Sequence, residues 1–134
     1  AVAGMSKTHP LAKKPAVRAE DLDGRAFLAA GRHDDMHETM LSLFAKHRVN
    51  PVVVSETTYA LTTCMLALHG VGIGVVSPFV VPDIVKAGLV VKRFLPRVPV
   101  ELVLLTPKDA PVSRLADAFR QALHKALAGY AIGE

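Results

Sequence analysis

The chain has no tryptophan, and aromatic residues make up only 5% of its 134 positions. Single-stranded nucleic acid is held by aromatics interleaved with basic residues, and no stretch offers that arrangement. There is one cysteine, Cys64, which excludes an intrachain disulfide framework and fits a reducing cytoplasm. Its neighbours Met65 and Leu68 mark it as a core residue rather than a nucleophile. No apolar run reaches the roughly 18 residues that span a bilayer, and no basic segment with an apolar stretch and a small-residue cleavage site opens the chain. A cytoplasmic chain without a membrane partner is expected. The nucleophile elbow G-x-S-x-G and the G-K-[ST] phosphate loop are missing as well. Asp21, Asp23, Asp83 and Asp117 read as caps or solvated side chains rather than a convergent acid pair. Neither enzymatic activity nor a cofactor is expected.

What is present is apolar. Hydrophobic residues make up 51% of the chain, and the mean hydropathy is +0.32. The length suits one domain or two small lobes, and so apolar a small chain is expected to turn part of its surface toward another lobe or subunit. The net charge is +4, but the basic residues are scattered through every segment, so a solvated basic surface is expected rather than a nucleic-acid stripe.

Along the chain, short β-branched runs alternate with helical patterns. The run "AVAGM" reads as a strand, the segment from Arg18 to Leu22 as a helical turn closed by Gly24, and "RAFLAAG" as a strand ending at Gly31. In "RHDDMHETMLSLFAKHRV", Met36, Met40, Leu43 and Phe44 recur at helical spacing, with Asp34 or Asp35 at the N-cap and Lys46, His47 and Arg48 at the other end. The run "PVVVS" follows as a strand, the "ETT" after it as a cap, and "YALTTCMLALHG" as a helix burying Leu61, Cys64, Met65 and Leu68. Next come the strand "VGIGVVSP", a short helix interrupted at Pro82, the strands "LVVKRFL" and "VELVLL", and a helix capped by Ser113. This alternation predicts an α/β domain with a largely parallel sheet covered on both faces.

The stretch "HGVGIGVVSP" carries Gly70, Gly72 and Gly74 at alternate positions. A phosphate loop needs strand, glycine turn and helix in that order, and here the glycines follow a helix and lead into a strand. Gly70 therefore reads as the positive-φ residue that ends the helix, and Gly72 and Gly74 as points where the strand packs closely against a helix. In open α/β sheets, ligands sit beyond the carboxyl ends of the strands. That rule selects three groups: Gly31, Arg32 and His33; Ser55, Glu56, Thr57 and Thr58; and Ser77, Pro78 and Phe79. Helix-start amides and threonine hydroxyls would hold an anion there, with Arg32 pairing to a carboxylate. On the residues alone, plain N-caps and a solvated arginine explain the same pattern.

His33 and His37 have the i, i+4 spacing of a zinc helix. They lack the H-E-x-x-H order and a third soft ligand, so no metal site is expected.

The fragments "HPLA" at His9, "EDLDGRAFL" at Glu20, "SETTYALTTCMLALHGVGIGVVSP" at Ser55 and "PVSRLADAFRQAL" near the end together resemble the effector-binding domain of LysR-type transcriptional regulators. The likeness runs over nearly the whole chain and is greatest toward the branch that includes regulators of opine and amino-acid catabolism. It implies a Rossmann-like subdomain of the type 2 periplasmic-binding-protein fold, with an incomplete second lobe. Residues 1–14 would be the crossover segment, 15–82 the core of regulatory subdomain II, and 83–134 a return segment and final helix belonging partly to subdomain I. The same likeness carries an effector site onto Gly31, Arg32, Thr57, Thr58, Ser77, Pro78 and Phe79, in the cleft between lobes. A small carboxylate or amino-acid-like effector is expected, together with a homo-oligomer that contacts DNA only through an N-terminal helix-turn-helix absent from this chain. A transporter's solute-binding protein or a free-standing α/β binding module are the alternatives.

Overall fold

The computed structural model describes residues 1–106 and 113–128. Contacts divide the chain into two units, Ala1–Val100 and Glu101–Glu134. In the first unit the strands are β1 (Val2–Met5), β2 (Ala16–Arg18), β3 (Ala26–Ala30), β4 (Val52–Thr57), β5 (Ile73–Val76) and β6 (Val90–Leu95). Its helices are α1 (Asp35–His47), α2 (Ala60–Leu68) and α3 (Pro82–Lys86), with single 3-10 turns at Pro10–Lys13, Ala19–Leu22 and Pro78–Val80. The strands form one sheet in the order β2-β6-β1-β5-β3-β4.

The sheet is mixed rather than largely parallel. β3 runs parallel to both β4 and β5, and β2 runs parallel to β6, while β1 is antiparallel to its neighbours β5 and β6. β1 therefore separates two parallel groups, an arrangement that hydrophobic patterning alone does not encode. β2 itself lay hidden in the sequence, because three residues just after Pro15 carry too little periodicity to show a strand.

Alternation along the central strands divides the core between the two faces. Phe27 and Ala29 of β3 join Ile73 and Val75 of β5, Ala3 and Met5 of β1, and Met40 and Phe44 of α1. Leu28 and Val76 point the other way, toward Cys64 and Ala67 of α2 and Val81 and Leu89 around α3. Edge-to-face contact between Phe27 and Phe44, with ring centroids 5.2 Å apart, ties α1 to the sheet. Asp34 caps α1 by accepting from the Met36 N–H at 2.9 Å, as the sequence predicts, and Lys46 and His47 occupy its last turn.

Helix α2 departs from its expected face. Cys64 is buried and Leu68 partly so, as expected, but Leu61 and Met65 are exposed, and Thr63 and Ala67 are buried in their place. The reason lies in β5, where Gly74 leaves a notch filled by the Thr63 methyl group; a Cβ at position 74 would overlap that methyl. Gly72 makes a different close approach, toward β3 rather than a helix, since a Cβ there would lie 2.8 Å from the Ala26 carbonyl oxygen. Gly70 has φ +79 and ends α2 as expected.

The cap of α2 also differs from expectation. Its N-cap is Tyr59, with no side-chain capping bond, and not Thr57 or Thr58. Glu101–Thr106 form no strand, although "VELVLL" has strand-forming residues, because they pair with no strand among the described residues. In the second unit, α4 (Arg114–Ala128) begins where the Ser113 hydroxyl accepts from the Ala116 N–H at 3.1 Å. Pro111 and Val112 lie outside the described residues. Among the described residues, no helix is long and apolar enough to cross a membrane.

Substituting Gly74→Ala is expected to lower stability by about 1–3 kcal/mol, the usual cost of forcing atoms into a filled site. Adding Thr63→Ala is expected to recover part of that loss, making the double variant more stable than the sum of the single losses implies. Urea denaturation of the four proteins in the cycle checks both expectations.

Candidate functional site

Because β5, β3 and β4 are adjacent and parallel, their carboxyl ends emerge on one edge of the sheet. That geometry brings together the three strand ends selected from the sequence. Gly31 follows β3, Thr57 ends β4 and Thr58 follows it, and Ser77, Pro78 and Phe79 follow β5.

The β3 end is held tightly. The Gly31 N–H donates to the Thr57 carbonyl at 2.8 Å, and the Asp34 N–H donates to the Gly31 carbonyl at 2.9 Å. A Cβ on Gly31 would sit 3.3 Å from the Thr58 Cα, so glycine lets the two strand ends approach. His37 Nδ1 lies 2.8 Å from the Ala30 carbonyl oxygen. With Nδ1 engaged there and Asp34 committed to its cap, the polar groups of this loop serve to fix its path. Among the described residues, no group of three or more His, Cys, Asp or Glu is placed to hold a metal ion.

Gly31, Arg32, His33, Asp34, Asp35, Glu56 and Thr58 surround a depression of about 500 Å³. Three of the predicted residues, Gly31, Arg32 and Thr58, lie on its wall. Thr57 and the Ser77–Phe79 group share the same sheet edge without lining it. Arg32 is 81% exposed, and its Nε lies 3.9 Å from Glu56 Oε1. An ion pair that long and that wet contributes little to stability, which leaves the guanidinium available. The wall thus carries both signs of charge, the Arg32 guanidinium and the carboxylates of Asp34, Asp35 and Glu56. Glu56 belongs to the β4 strand end that the sequence offers, and the structure puts its carboxylate on the same wall as Arg32.

At the β4 end the Thr57 and Thr63 hydroxyl oxygens are 2.5 Å apart, and Thr57 Oγ1 also donates to the Tyr59 carbonyl at 3.5 Å. At the β5 end Ser77 Oγ accepts from the Phe79 N–H at 3.3 Å, capping the 3-10 turn. Cys64 lies beneath this edge in the core, where burial pushes its thiol pKa up and keeps it protonated.

A second hollow, of about 610 Å³, lies between α1 and the β4 edge and is lined by Phe27, Met40, Leu41, Phe44 and Val53 among others. Among the described residues β4 ends the sheet and pairs with β3 alone. Its Val52, Val53 and Val54 are all exposed.

Comparison with known proteins agrees with this architecture. The LysR substrate binding domain family matches residues 1–128, and the chain belongs to that family. Its relatives include the transcriptional activator protein LysR of Escherichia coli (strain K12), 36% identical over 111 residues covering 83% of this chain and 36% of that protein. The regulatory protein NocR of Agrobacterium tumefaciens (strain T37) is 32% identical over 126 residues, covering 89% of this chain and 40% of NocR. The chain therefore spans less than half the length of these curated relatives. Among solved structures, the effector-binding domain of QuiR in complex with shikimate superposes with a TM-score of 0.69 at 17% identity, over 90% of this chain and 57% of that one. The fold is thus the type 2 periplasmic-binding-protein-like α/β fold of LysR-family effector-binding domains.

Replacing Asp34 with alanine is expected to cost about 1 kcal/mol, the usual value of an N-cap. Glu56→Gln is expected to change stability by less than about 1 kcal/mol, because the exposed Arg32 pair contributes little. Chemical denaturation of the two variants separates these expectations.

Proposed function

We propose that this chain is the ligand-sensing part of a LysR-type transcriptional regulator. It binds a small carboxylate or amino-acid-like effector at the edge formed by β5, β3 and β4, and it is not an enzyme. The single observation that carries this reading is the convergence of three parallel strand ends, each leading into a helix or 3-10 turn, on one edge. Amides at such ends favour anions. Arg32 supplies a bidentate donor for a carboxylate, and Thr57 and Thr58 supply hydroxyls. The mixed charge of the depression favours a ligand that also bears an ammonium group, which Glu56 and Asp35 would receive. The QuiR domain binds shikimate, and shikimate is itself a carboxylate.

In this reading the effector acts by differential affinity: it favours one packing of a homo-oligomer and so moves DNA-binding domains that lie outside this chain. The exposed valines of the β4 edge and the apolar hollow beside it support self-association, since an unprotected apolar edge strand invites pairing. The single buried cysteine and the family membership support a cytoplasmic location.

The test begins with a library of amino acids and small carboxylates screened by thermal shift on the intact regulator. For a hit, Arg32→Ala and Thr57→Val are each expected to weaken binding about tenfold or more. Arg32→Ala is expected to leave the unfolding midpoint of the free protein nearly unchanged, and Thr57→Val to lower it modestly without unfolding the protein, because the buried Thr63 hydroxyl loses its partner. Unchanged affinity in both variants would remove the site from these residues.

A further inference from the structure

We propose that Thr63, a residue of α2 away from the depression, is a positioning residue for the effector site. It holds the Thr57 hydroxyl so that its proton is directed outward as a donor. The inference rests on the effector-site reading above and adds a residue that neither the strand-end rule nor the family resemblance selects.

Thr63 is 4% exposed, and its two γ substituents have separate tasks. The methyl fills the notch that Gly74 leaves in β5, and this fixes the Thr63 side chain in one orientation. In that orientation the hydroxyl oxygen lies 2.5 Å from Thr57 Oγ1. Two hydroxyls at that distance share one hydrogen, so one of them keeps a proton for use elsewhere. Thr57 has a second acceptor in reach, the Tyr59 carbonyl at 3.5 Å. Among the described residues, Thr63 Oγ1 has the Thr57 hydroxyl as its side-chain partner.

A buried hydroxyl that cannot donate is penalised, so the favoured arrangement has Thr63 donating to Thr57 and Thr57 donating onward. The onward bond to Tyr59 is at the limit of hydrogen-bond length. It is readily exchanged for a better acceptor, such as a carboxylate oxygen arriving at the strand ends. Gly74, Thr63 and Thr57 thereby form a chain from the sheet interior to its edge: a missing side chain sets a methyl, the methyl sets a hydroxyl, and that hydroxyl sets the donor.

Two substitutions separate positioning from packing. Thr63→Val keeps the methyl and loses the hydroxyl, while Thr63→Ser keeps the hydroxyl and loses the methyl. The first measurement is the χ1 rotamer distribution of Thr57 in the full 134-residue chain, read from three-bond NMR couplings without ligand. The second is the affinity for succinate and L-glutamate, read from amide shifts in the same samples. A single Thr57 rotamer is expected in the wild type and in Thr63→Ser, with averaging over several in Thr63→Val. Binding of whichever probe the wild type takes is expected to fall about tenfold in Thr63→Val and less than threefold in Thr63→Ser. A Thr57 rotamer that stays fixed in Thr63→Val, or a greater loss of binding in Thr63→Ser than in Thr63→Val, would overturn the proposal in favour of packing alone. If the wild type binds neither probe, the effector-site reading loses its support, and the Thr57 couplings still accept or reject the hold that Thr63 has on Thr57.

Discussion

The close approach of α2 to β5 is the constraint on which the rest of this fold depends. Gly74 allows it by having no side chain, and Thr63 occupies the space so released. Once α2 is seated there, Cys64 and Ala67 are committed to the core with Leu28 and Val76, and the α2 N-terminus is brought over the end of β4. The strand ends of β5, β3 and β4 then lie side by side because the three strands are parallel neighbours. A packing requirement inside the sheet thus determines where polar groups collect outside it. This is how an apolar chain with few special residues builds one polar edge.

Much of that edge could be read in the sequence. Asp34 shows as a cap because it directly precedes a periodic helix, and Gly70 as a helix stop because a β-branched run follows it. The three strand ends were legible as a set, since the rule for parallel α/β sheets names a position rather than a residue type. The face of α2 was legible only at Cys64 and Leu68. Leu61, Met65, Leu66 and Leu68 surround a helix that is apolar on nearly every side, so periodicity does not select a direction, and the choice is made by a glycine on another element. The reversed direction of β1 was hidden for a related reason. Alternation of side chains tells which face is buried but not which way a neighbouring strand runs. The segment "VELVLL" shows the converse, in that strand propensity without a pairing partner among the described residues gives no strand.

Two recesses of Ala1–Val100 differ in character. The depression at the strand ends is walled by charges of both signs, with Arg32 and Glu56 too exposed and too far apart to neutralise each other fully. The hollow between α1 and β4 is walled mostly by aromatic and aliphatic side chains, with His37, Arg48, Asn50 and Glu56 among them, and borders a strand edge unpaired among the described residues. Polar, oriented groups suit recognition of a small charged molecule. An apolar hollow against an open strand edge suits contact with a protein surface. Assigning the effector to the first and self-association to the second accounts for both without asking either recess to do the other's work.

The central claim is that small polar molecules are taken at the strand ends and not in the apolar hollow. The most direct measurement is a backbone amide shift map of the chain titrated with a mixture of small carboxylates and amino acids. The account predicts that the shifts concentrate at Gly31, Arg32, Thr57, Thr58 and Ser77. Shifts confined to Met40, Leu41, Phe44 and Val53 would contradict it and move the ligand to the hollow beside α1.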